Sequence, residues 1–447
     1  MNKMPLLGHS SLDDIFAWRP SGPVKVRQFL AEARALAKLM PAGQSLLNVC
    51  QDRYRFALGF VAGLLTGKTS LQPSSQSAET LRNIRQQSPD VWCLCDDEFD
   101  SLDLLRLDFP DLSDVDANAV QAVPEIAADH VAACLFTSGS TGTPMPHFKR
   151  WDQLVMSGQA EAERLGLTDR PHVIVGTVPV QHAFGFESTF LLALHGAAPF
   201  WSGKPFYPQD IVATLNAVPQ PRLLVTTPYH LGALLAAEIE LPKVDLLLSA
   251  TAPLSIDLAT RAESRFQAPL IEIFGSTETG QIATRQPTTG AAWHLLPGVR
   301  LTQEDAYTTA SGAHVEGEIT LSDVLELLPD NHFLLHGRHA DLVNIAGKRT
   351  SIAYLNHQIT AIPGVIDAAF FLPDDNSPEG ITRLCAFVVA PGLNSRELLT
   401  ALRDRIEPLF LPRPLFFVAK LPRNSTGKLP RNELQALYAE KLEHAGR

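Results

Sequence analysis

The sequence has few cysteines and no arrangement of them that marks a metal or disulfide protein. It contains five in 447 residues, and no pair has the CxxC spacing. A zinc site needs closely spaced Cys or His ligands, and a disulfide framework is typical of small secreted domains. We therefore predict reduced core thiols, as expected in the cytoplasm, at Cys50, Cys93, Cys95, Cys134 and Cys385.

Positive charge and long apolar runs are also scarce. The formal net charge is −11, from 37 basic against 48 acidic residues. A nucleic-acid surface needs a basic footprint that displaces phosphate counterions, so we expect no nucleic-acid partner. No apolar run approaches the roughly 20 residues that cross a bilayer, and the N-terminal segment lacks the length and flanks of a signal peptide. These absences predict a cytoplasmic protein without membrane insertion.

What the chain does contain is an alternation of helix and strand patterns. Residues 26–40 have amphipathic helix spacing, residues 45–50 resemble a short strand, and residues 53–67 resemble an apolar helix closed by glycine. Downstream, apolar runs alternate with helical segments, and several are continuous, as in strands buried on both faces. These runs are HVAACLF, HVIVGTVPV, RLLVTTP, VDLLLSA, PLIEIFG, GEITLS and HFLLHG. The pattern predicts an α/β fold with layered, mostly parallel sheets and crossover helices.

The pattern changes after Arg338, where the elements become short. They are helices at 353–362 and 395–406 and strands near 365–372, 384–390 and 415–420. About 110 residues of this kind suit a small α+β domain. We predict a large N-terminal domain over residues 1–337 and a small C-terminal domain over residues 338–447.

The most distinctive motif is TSGSTGTP, which directly follows the apolar run AACLF. Hydroxyls and glycines at the end of a strand expose side-chain and backbone donors that can surround phosphate oxygens, because glycine permits close approach. The motif is not a Walker A loop, which requires GxxxxGK followed by Ser or Thr. For such a run taken alone, an ordinary flexible loop is the alternative. The candidate phosphate-binding residues are Thr137, Ser138, Gly139, Ser140, Thr141, Gly142 and Thr143.

Three further blocks follow in the chain. They are FGSTETG at 274–280, HGRHADLVNIAGKR at 336–349 and PRNSTGKLPR at 422–431. Together with TSGSTGTP, and in the same order, they resemble the acyl-adenylate-forming superfamily of AMP-dependent synthetases and ligases. The resemblance implies ATP and Mg²⁺ as cofactors and a mobile C-terminal domain. It also implies that a carboxylic acid is joined to AMP, with release of pyrophosphate. The acyl group is then passed to a phosphopantetheine thiol of coenzyme A or of a carrier protein.

The resemblance assigns chemistry to three positions. Thr277 would contact the α-phosphate, Glu278 would hold Mg²⁺, and Lys428 would be the catalytic lysine. A carboxylate that attacks the α-phosphorus brings two anions together, so a metal ion and an ammonium must offset their charge. Lysine suits the second role because it is a compact point charge on a long stem. Taken singly, Glu278 and Lys428 would be ordinary exposed loop residues.

Further site residues follow from the same resemblance. His182, in PVQHAFGFE, would line the acyl pocket, although a lone histidine in an apolar segment is more often structural. Asp323 would bind the ribose hydroxyls, and Arg338 the ribose or a phosphate. The remaining predicted positions are Ala250, Thr251, Phe274 and Gly275 for the nucleotide pocket and Ala340 and Asp341 for the hinge.

Two departures from the family pattern stand out. Met145 stands where the family usually has lysine, and the nearest basic residues are His147, Lys149 and Arg150. The adenine segment, usually rich in glycine, reads SATAPL. These changes suggest a compact, divergent branch similar to small acyl or aryl ligases of polyketide-like and aryl-polyene pathways. An aryl or hydroxylated acid loaded onto a carrier protein is the favoured hypothesis. The alternatives are a fatty acid loaded onto coenzyme A, and a nucleotide-binding homologue that has lost turnover.

Overall fold

The computed structural model describes residues 2–73, 76–99, 104–138, 144–305, 307–338, 342–345, 348–373, 384–423 and 429–445. Helices and sheets alternate along this part of the chain, and the predicted α/β class is confirmed. The α-helices are α1 (Val26–Ala37), α2 (Arg53–Leu65), α3 (Ala78–Gln87), α4 (Trp151–Arg164), α5 (Ala183–Gly185), α6 (Leu192–His195), α7 (Pro208–Ala217), α8 (Pro228–Ala236), α9 (Ile256–Phe266), α10 (Ile352–Thr360), α11 (Ser395–Arg403) and α12 (Arg431–Ala445). A π-helical segment, Phe186–Leu191, joins α5 to α6.

Within the described ranges, eleven strands form the largest sheet. In spatial order they are β21 (Asp323–Leu328), β22 (His332–Arg338), β17 (Trp293–Leu295), β16 (Gly280–Arg285), β15 (Leu270–Ser276), β14 (Leu246–Ser249), β13 (Arg222–Thr226), β11 (Val173–Gly176), β12 (Phe200–Trp201), β2 (Ile15–Arg19) and β3 (Gly22–Lys25). The strands from β15 to β2 pair in parallel, and the strands at both ends of the sheet pair antiparallel.

Both faces of the parallel strands are buried, as their continuous apolar runs predict. Leu223 and Val225 of β13 pack into one hydrophobic cluster, whereas Leu224 between them packs into another. Side chains alternate across a strand, so one run of apolar residues supplies two cores. Helices α7, α8 and α9 contribute buried residues to the second cluster.

A second sheet contains the strand that precedes the phosphate-loop motif. Its six described strands are, in order, β10 (Pro144–Arg150), β9 (Val131–Ser138), β5 (Thr69–Gln72), β4 (Ser45–Asn48), β6 (Trp92–Cys95) and β7 (Leu105–Asp108). All neighbours pair in parallel except β9 and β10, which form an antiparallel hairpin. The first two residues of the motif, Thr137 and Ser138, end β9, and its last residue, Pro144, begins β10.

The prediction of mostly parallel strand pairing is wrong for two of the apolar runs. GEITLS corresponds to β20 (Val315–Thr320), in an antiparallel sheet with β18 (Arg300–Glu304) and β19 (Tyr307–Gly312). HFLLHG corresponds to β22, which is antiparallel to both of its neighbours. The connections Ala313–His314, between β19 and β20, and Pro329–Asn331, between β21 and β22, are too short for the crossover that parallel strands require. A small pair, β1 (Lys3–Pro5) and β8 (Glu125–Ala127), is also antiparallel.

The C-terminal part has short strands and hydrophobic clusters of its own. The strands are β23 (Leu342–Ile345), β24 (Lys348–Ser351), β25 (Asp367–Phe371), β26 (Cys385–Val389) and β27 (Leu415–Phe417). Two clusters take all their buried members from the segment between Val343 and Leu434. This separate packing is what a C-terminal domain requires, and the boundary at Arg338 stays a prediction. The five cysteines are buried free thiols, as predicted. In the described residues, no helix is long and apolar enough to cross a membrane.

Candidate active site

Several predicted site residues meet at the carboxyl edge of the parallel strands. His182 follows β11, Ala250 and Thr251 follow β14, and Thr277 follows β15. Ser249, the last residue of β14, pairs with Glu272, two residues before Phe274, so the ends of β14 and β15 lie side by side. Ligands of open α/β sheets bind outside this edge.

The turn between β15 and β16 holds Thr277 and Glu278 in a fixed shape. The Ser276 N–H donates to Thr279 Oγ1 at 3.2 Å, and the Thr279 N–H donates to Ser276 Oγ at 3.2 Å. Gly280 then adopts φ +73°, a conformation that glycine permits. Ser276, Thr279 and Gly280 were not among the predicted site residues, although the block FGSTETG contains them. Their reciprocal bonds are the local hydroxyl–backbone pattern typical of Ser and Thr in turns.

This turn meets the β9–β10 hairpin through His147. Its Nε2 lies 3.1 Å from Thr137 Oγ1 and 3.8 Å from Glu278 Oε1. Thr137 is the one phosphate-loop position whose side chain the structure describes. The backbone of Ser138 is also described, and residues 139–143 lie outside the described part. The structure thus brings the first residue of the predicted phosphate loop to the predicted Mg²⁺ ligand.

Charge at this contact favours an ionised Glu278. Partial burial would raise the pKa of its carboxyl, but it accepts hydrogen bonds from its own backbone N–H and from Ser276. These bonds lower the pKa below the ordinary value, with a further contribution from the charge of Lys149. Burial lowers the pKa of His147, against the opposing effect of Glu278, so the imidazole is mostly neutral at pH 7. An anionic oxygen ligand therefore faces the hairpin.

The residues present fit a magnesium ion that arrives with a nucleotide. Among the described residues, no group of three or more His, Cys, Asp or Glu side chains could hold a metal ion. Mg²⁺ is usually bound by one or two carboxylates together with substrate phosphates and water. Glu278, whose side chain is 40% exposed, offers one such carboxylate.

Asp323 and Arg338, predicted to act on the ribose, are brought together. They are direct partners in the antiparallel pair β21–β22. The hinge residues Ala340 and Asp341 and the catalytic candidate Lys428 lie outside the described residues.

Phe274 and His182 are both partly structural. The ring of Phe274 packs against Trp293 and Phe333, with centroids 5.5 Å from each, so one side of it belongs to the core. The His182 N–H donates to the Pro179 carbonyl at 3.1 Å, and its own carbonyl accepts from the Phe186 N–H at 2.7 Å. Both side chains are half-buried. A nucleotide contact for Phe274 and an acid contact for His182 stay predictions.

The segment that leads to His182 is held by an arginine that sequence reasoning did not identify. Arg53, the first residue of α2, is 2% exposed. Its guanidinium donates to the carbonyl oxygens of Gly176 at 3.3 Å and Val178 at 2.9 Å, and to Thr189 Oγ1 at 3.1 Å. It also donates to the carbonyls of Trp201 and Gly203. Nothing in the apolar pattern RYRFALGFVAGLL signals this role.

Thr251, in the predicted adenine segment, has a backbone conformation that favours glycine. Its φ is +80°, and for a β-branched residue such strain costs about 1–3 kcal/mol. Glycine would relieve the strain but lose roughly 0.5–1 kcal/mol to the greater freedom of the unfolded chain. We expect Thr251→Gly to raise the free energy of unfolding by about 1 kcal/mol, measured by urea denaturation.

Thr302 provides the matched control for this prediction. It is exposed in β18, where glycine relieves no strain, so Thr302→Gly is expected to lower the free energy of unfolding. Equal losses in both variants would contradict the interpretation of Thr251 as strained.

A carboxylate at the carboxyl edge of a parallel sheet, close to the β9–β10 hairpin, is an arrangement at which a ligand of an open α/β sheet can bind. The AMP-binding enzyme family matches residues 46–324, and the AMP-binding enzyme C-terminal domain matches residues 356–428. Because the first match alone spans more than half of the chain, the chain belongs to the AMP-binding enzyme family. The predicted superfamily and the predicted class, an ATP-dependent, AMP-forming ligase, are confirmed.

Individual relatives agree with this membership. A 4-coumarate–CoA ligase of Rhodobacter capsulatus is 30% identical over 284 residues, covering 63% of this chain and 69% of the relative. A 2-succinylbenzoate–CoA ligase of Bacillus velezensis is 25% identical over 423 residues, covering 87% of this chain and 85% of the relative. The structure of o-succinylbenzoate coenzyme A synthetase from Bacillus subtilis, with ATP and a magnesium ion, is 18% identical. It superposes with a TM-score of 0.82 and covers 97% of this chain and 100% of that one. The shared fold follows from this match.

Proposed function

We propose that the protein joins an aromatic carboxylic acid to AMP, releases pyrophosphate, and transfers the acyl group to the thiol of coenzyme A. The contact that carries the proposal is the link from Thr137 through His147 to Glu278, which joins the phosphate-loop hairpin to the carboxylate turn. Bound Mg²⁺ would offset the charge between the attacking carboxylate and the α-phosphate. The chain's acidic balance and its reduced cysteines support a cytoplasmic location.

The nucleotide is assigned to the large domain, residues 1–337. Glu278 holds the metal ion and Thr277 contacts the α-phosphate. Asp323 binds the ribose and Arg338 the ribose or a phosphate, and their cross-strand pairing supports a shared site. The other positions proposed to contact the nucleotide are Thr137, Ser138, Gly139, Ser140, Thr141, Gly142, Thr143, Ala250, Thr251, Phe274 and Gly275.

The small domain, residues 338–447, is assigned the catalytic ammonium. Lys428 lies between the attacking carboxylate and the phosphate in the first half-reaction. Rotation at Ala340–Asp341 then withdraws it and admits the thiol, a conformational step of the kind that sets many turnover rates. The acid is placed beside His182, on the segment that Arg53 holds.

The names of relatives support the aryl acid and the acceptor. Coumarate, chlorobenzoate and succinylbenzoate are acids with an aromatic ring, and each of these relatives is named as a CoA ligase. They favour coenzyme A over a carrier protein for this chain. One observation favours a second candidate, a nucleotide-binding homologue without turnover, because Met145 replaces the usual lysine and is 55% exposed.

A screen of pyrophosphate release tests the proposal. The purified chain is incubated with ATP, Mg²⁺ and aryl, short-chain or long-chain acids, and coenzyme A or a phosphopantetheine-bearing carrier protein is added afterwards. We expect release with aryl acids and thioester formation with coenzyme A. Nucleotide binding without release for any acid would support the homologue that has lost turnover.

Glu278→Gln tests the metal ligand. The substitution keeps the shape of the side chain and removes its charge, so we expect the Mg²⁺ concentration for half-maximal ATP binding to rise by about tenfold or more. Calorimetric titration with ATP at a series of Mg²⁺ concentrations measures this shift directly. Glu318→Gln, at an exposed position of β20, is the control. The same Mg²⁺ requirement in Glu278→Gln and the wild type would refute the assignment.

A further inference from the structure

We propose that Lys149 is a positioning residue that holds the Glu278 turn against the phosphate-loop hairpin, with Glu187 as its counter-charge. The inference rests on the proposed function, in which Glu278 holds the metal ion. It assigns to Lys149 a part in metal-dependent nucleotide binding through the backbone of the turn, without contact to the phosphates.

The contact itself is a backbone hydrogen bond. Lys149 is 8% exposed, and its Nζ donates to the carbonyl oxygen of Glu278 at 2.5 Å. His147, two residues earlier on the same face of β10, approaches the Glu278 carboxylate at 3.8 Å. Two neighbouring side chains of one strand thus meet Glu278 at its carbonyl and at its carboxylate. A turn held at both points presents its carboxylate in one direction.

Glu187 lies behind the same turn. A Cβ atom placed on Gly280 would be 3.2 Å from Glu187 Oε1, so this carboxylate lies against the backbone of the turn. Glu187 belongs to the π-helical segment, and π-helical insertions are frequent at functional sites. Burial lowers the pKa of Lys149, and of the acids whose charge opposes this shift Glu187 has the largest effect, ahead of Glu278 and Glu316. Burial raises the pKa of Glu187 itself to about 7, against the opposing charge of Lys149, so this carboxylate supplies the compensating charge increasingly as the pH rises above 7.

A polar network ties the π-helical segment, at Ser188 next to Glu187, to the strand that leaves the turn. Gln281, directly after Gly280, donates from Nε2 to Ser188 Oγ at 2.8 Å. Its carbonyl lies 2.7 Å from His314 Nε2. Buried polar groups that are linked in this way fix a single arrangement of the surrounding backbone. The turn is thus supported from β10 on one side and from the π-helical segment on the other.

Burial decides between two roles for Lys149. A lysine displaced from position 145 to bind phosphate would need an exposed ammonium, but the side chain of Lys149 is buried and its Nζ is bonded to a carbonyl. An unpaired buried ammonium is strongly destabilising, so an apolar residue would be favoured if only packing mattered. The hydrogen bond that holds the Glu278 turn therefore accounts for a buried lysine at this position.

The test compares Lys149→Met with a matched substitution elsewhere. Loss of a partner that orients a metal ligand typically costs 10–100-fold in metal affinity. We expect Lys149→Met to raise the Mg²⁺ concentration for half-maximal ATP binding by roughly tenfold, measured by calorimetry. Lys68 is 7% exposed and donates to the Gly43 carbonyl at 2.5 Å, far along the chain from the turn. Lys68→Met removes the same kind of bond and is expected to leave the Mg²⁺ requirement unchanged.

Two further variants separate positioning from folding. Lys149→Arg keeps the charge and a donor, and we expect it to restore part of the Mg²⁺ affinity. Lys149→Met/Glu187→Gln removes both charges, so it should fold better than Lys149→Met while keeping the raised Mg²⁺ requirement. A wild-type requirement in the double variant, or an equal shift in Lys68→Met, would overturn the proposal. If the wild type releases no pyrophosphate with any acid, the proposed function fails, yet the binding titration still tests Lys149.

Discussion

Lys428→Ala is expected to slow the acid-dependent exchange of pyrophosphate into ATP by at least about a hundredfold, as for loss of one donor that stabilises transition-state charge. The attacking carboxylate and the α-phosphate repel each other most strongly as the new bond forms, so an ammonium between them acts mainly on that state. ATP binding, measured by calorimetry, should change little, because the proposed phosphate, ribose and metal contacts all belong to other residues.

The control for Lys428 is Lys420→Ala. Lys420 is exposed in the same C-terminal segment, so loss of its charge is expected to leave exchange near the wild-type rate. Lys428→Arg tests geometry, since a planar guanidinium does not replace a compact ammonium between two anions. Exchange at the wild-type rate in Lys428→Ala would exclude a catalytic role for this lysine. The reaction would then need another source of positive charge.

The parallel core could be predicted from the sequence because burial on both faces leaves a local mark. A run such as VDLLLSA has no polar alternation, and β14 accordingly has Leu247 in one hydrophobic cluster and Leu248 in the other. The amphipathic helices follow from spacing in the same way. The order of the motifs assigned Asp323 and Arg338 to one site, and the two residues are cross-strand partners, while their roles stay predictions.

Strand-pairing direction and long-range polar contacts could not be predicted, because neither produces a local pattern in the sequence. GEITLS reads like any buried run, and only its short connections in the folded chain show that β20 is antiparallel. Lys149 reaches a carbonyl 129 positions away, and Arg53 reaches carbonyls more than 120 positions away. Hydrophobic period and motif spacing describe neighbours along the chain, so they are silent about such partners.

Arg53→Met is expected to lower the free energy of unfolding by about 3–5 kcal/mol, the range for breaking a buried charged network by removing one partner. Burial lowers the pKa of the guanidinium to about 10, so it remains charged near neutral pH and its bonds are charge-assisted. Methionine fills much of the same volume but leaves the carbonyls of Gly176, Val178 and Gly203 without this donor. Urea denaturation measures the loss.

Arg55→Met is the control, because it removes a more exposed arginine from the same helix, and its loss of unfolding free energy is compared with that of Arg53→Met. Arg55 is 39% exposed and its guanidinium is 3.9 Å from Asp96, whose side chain is 4% exposed and also accepts from the N–H groups of Gln51 and Asp52. Loss of this long, partly exposed pair is expected to cost at most about 1 kcal/mol. Arg53→Lys keeps the charge but places three donors at one point, so an intermediate loss is expected. Because Gly176 and Val178 lead to His182, Arg53→Lys should also raise KM for the acid while KM for ATP stays nearly constant. Losses of equal size in Arg53→Met and Arg55→Met would show that the guanidinium network does not hold this segment.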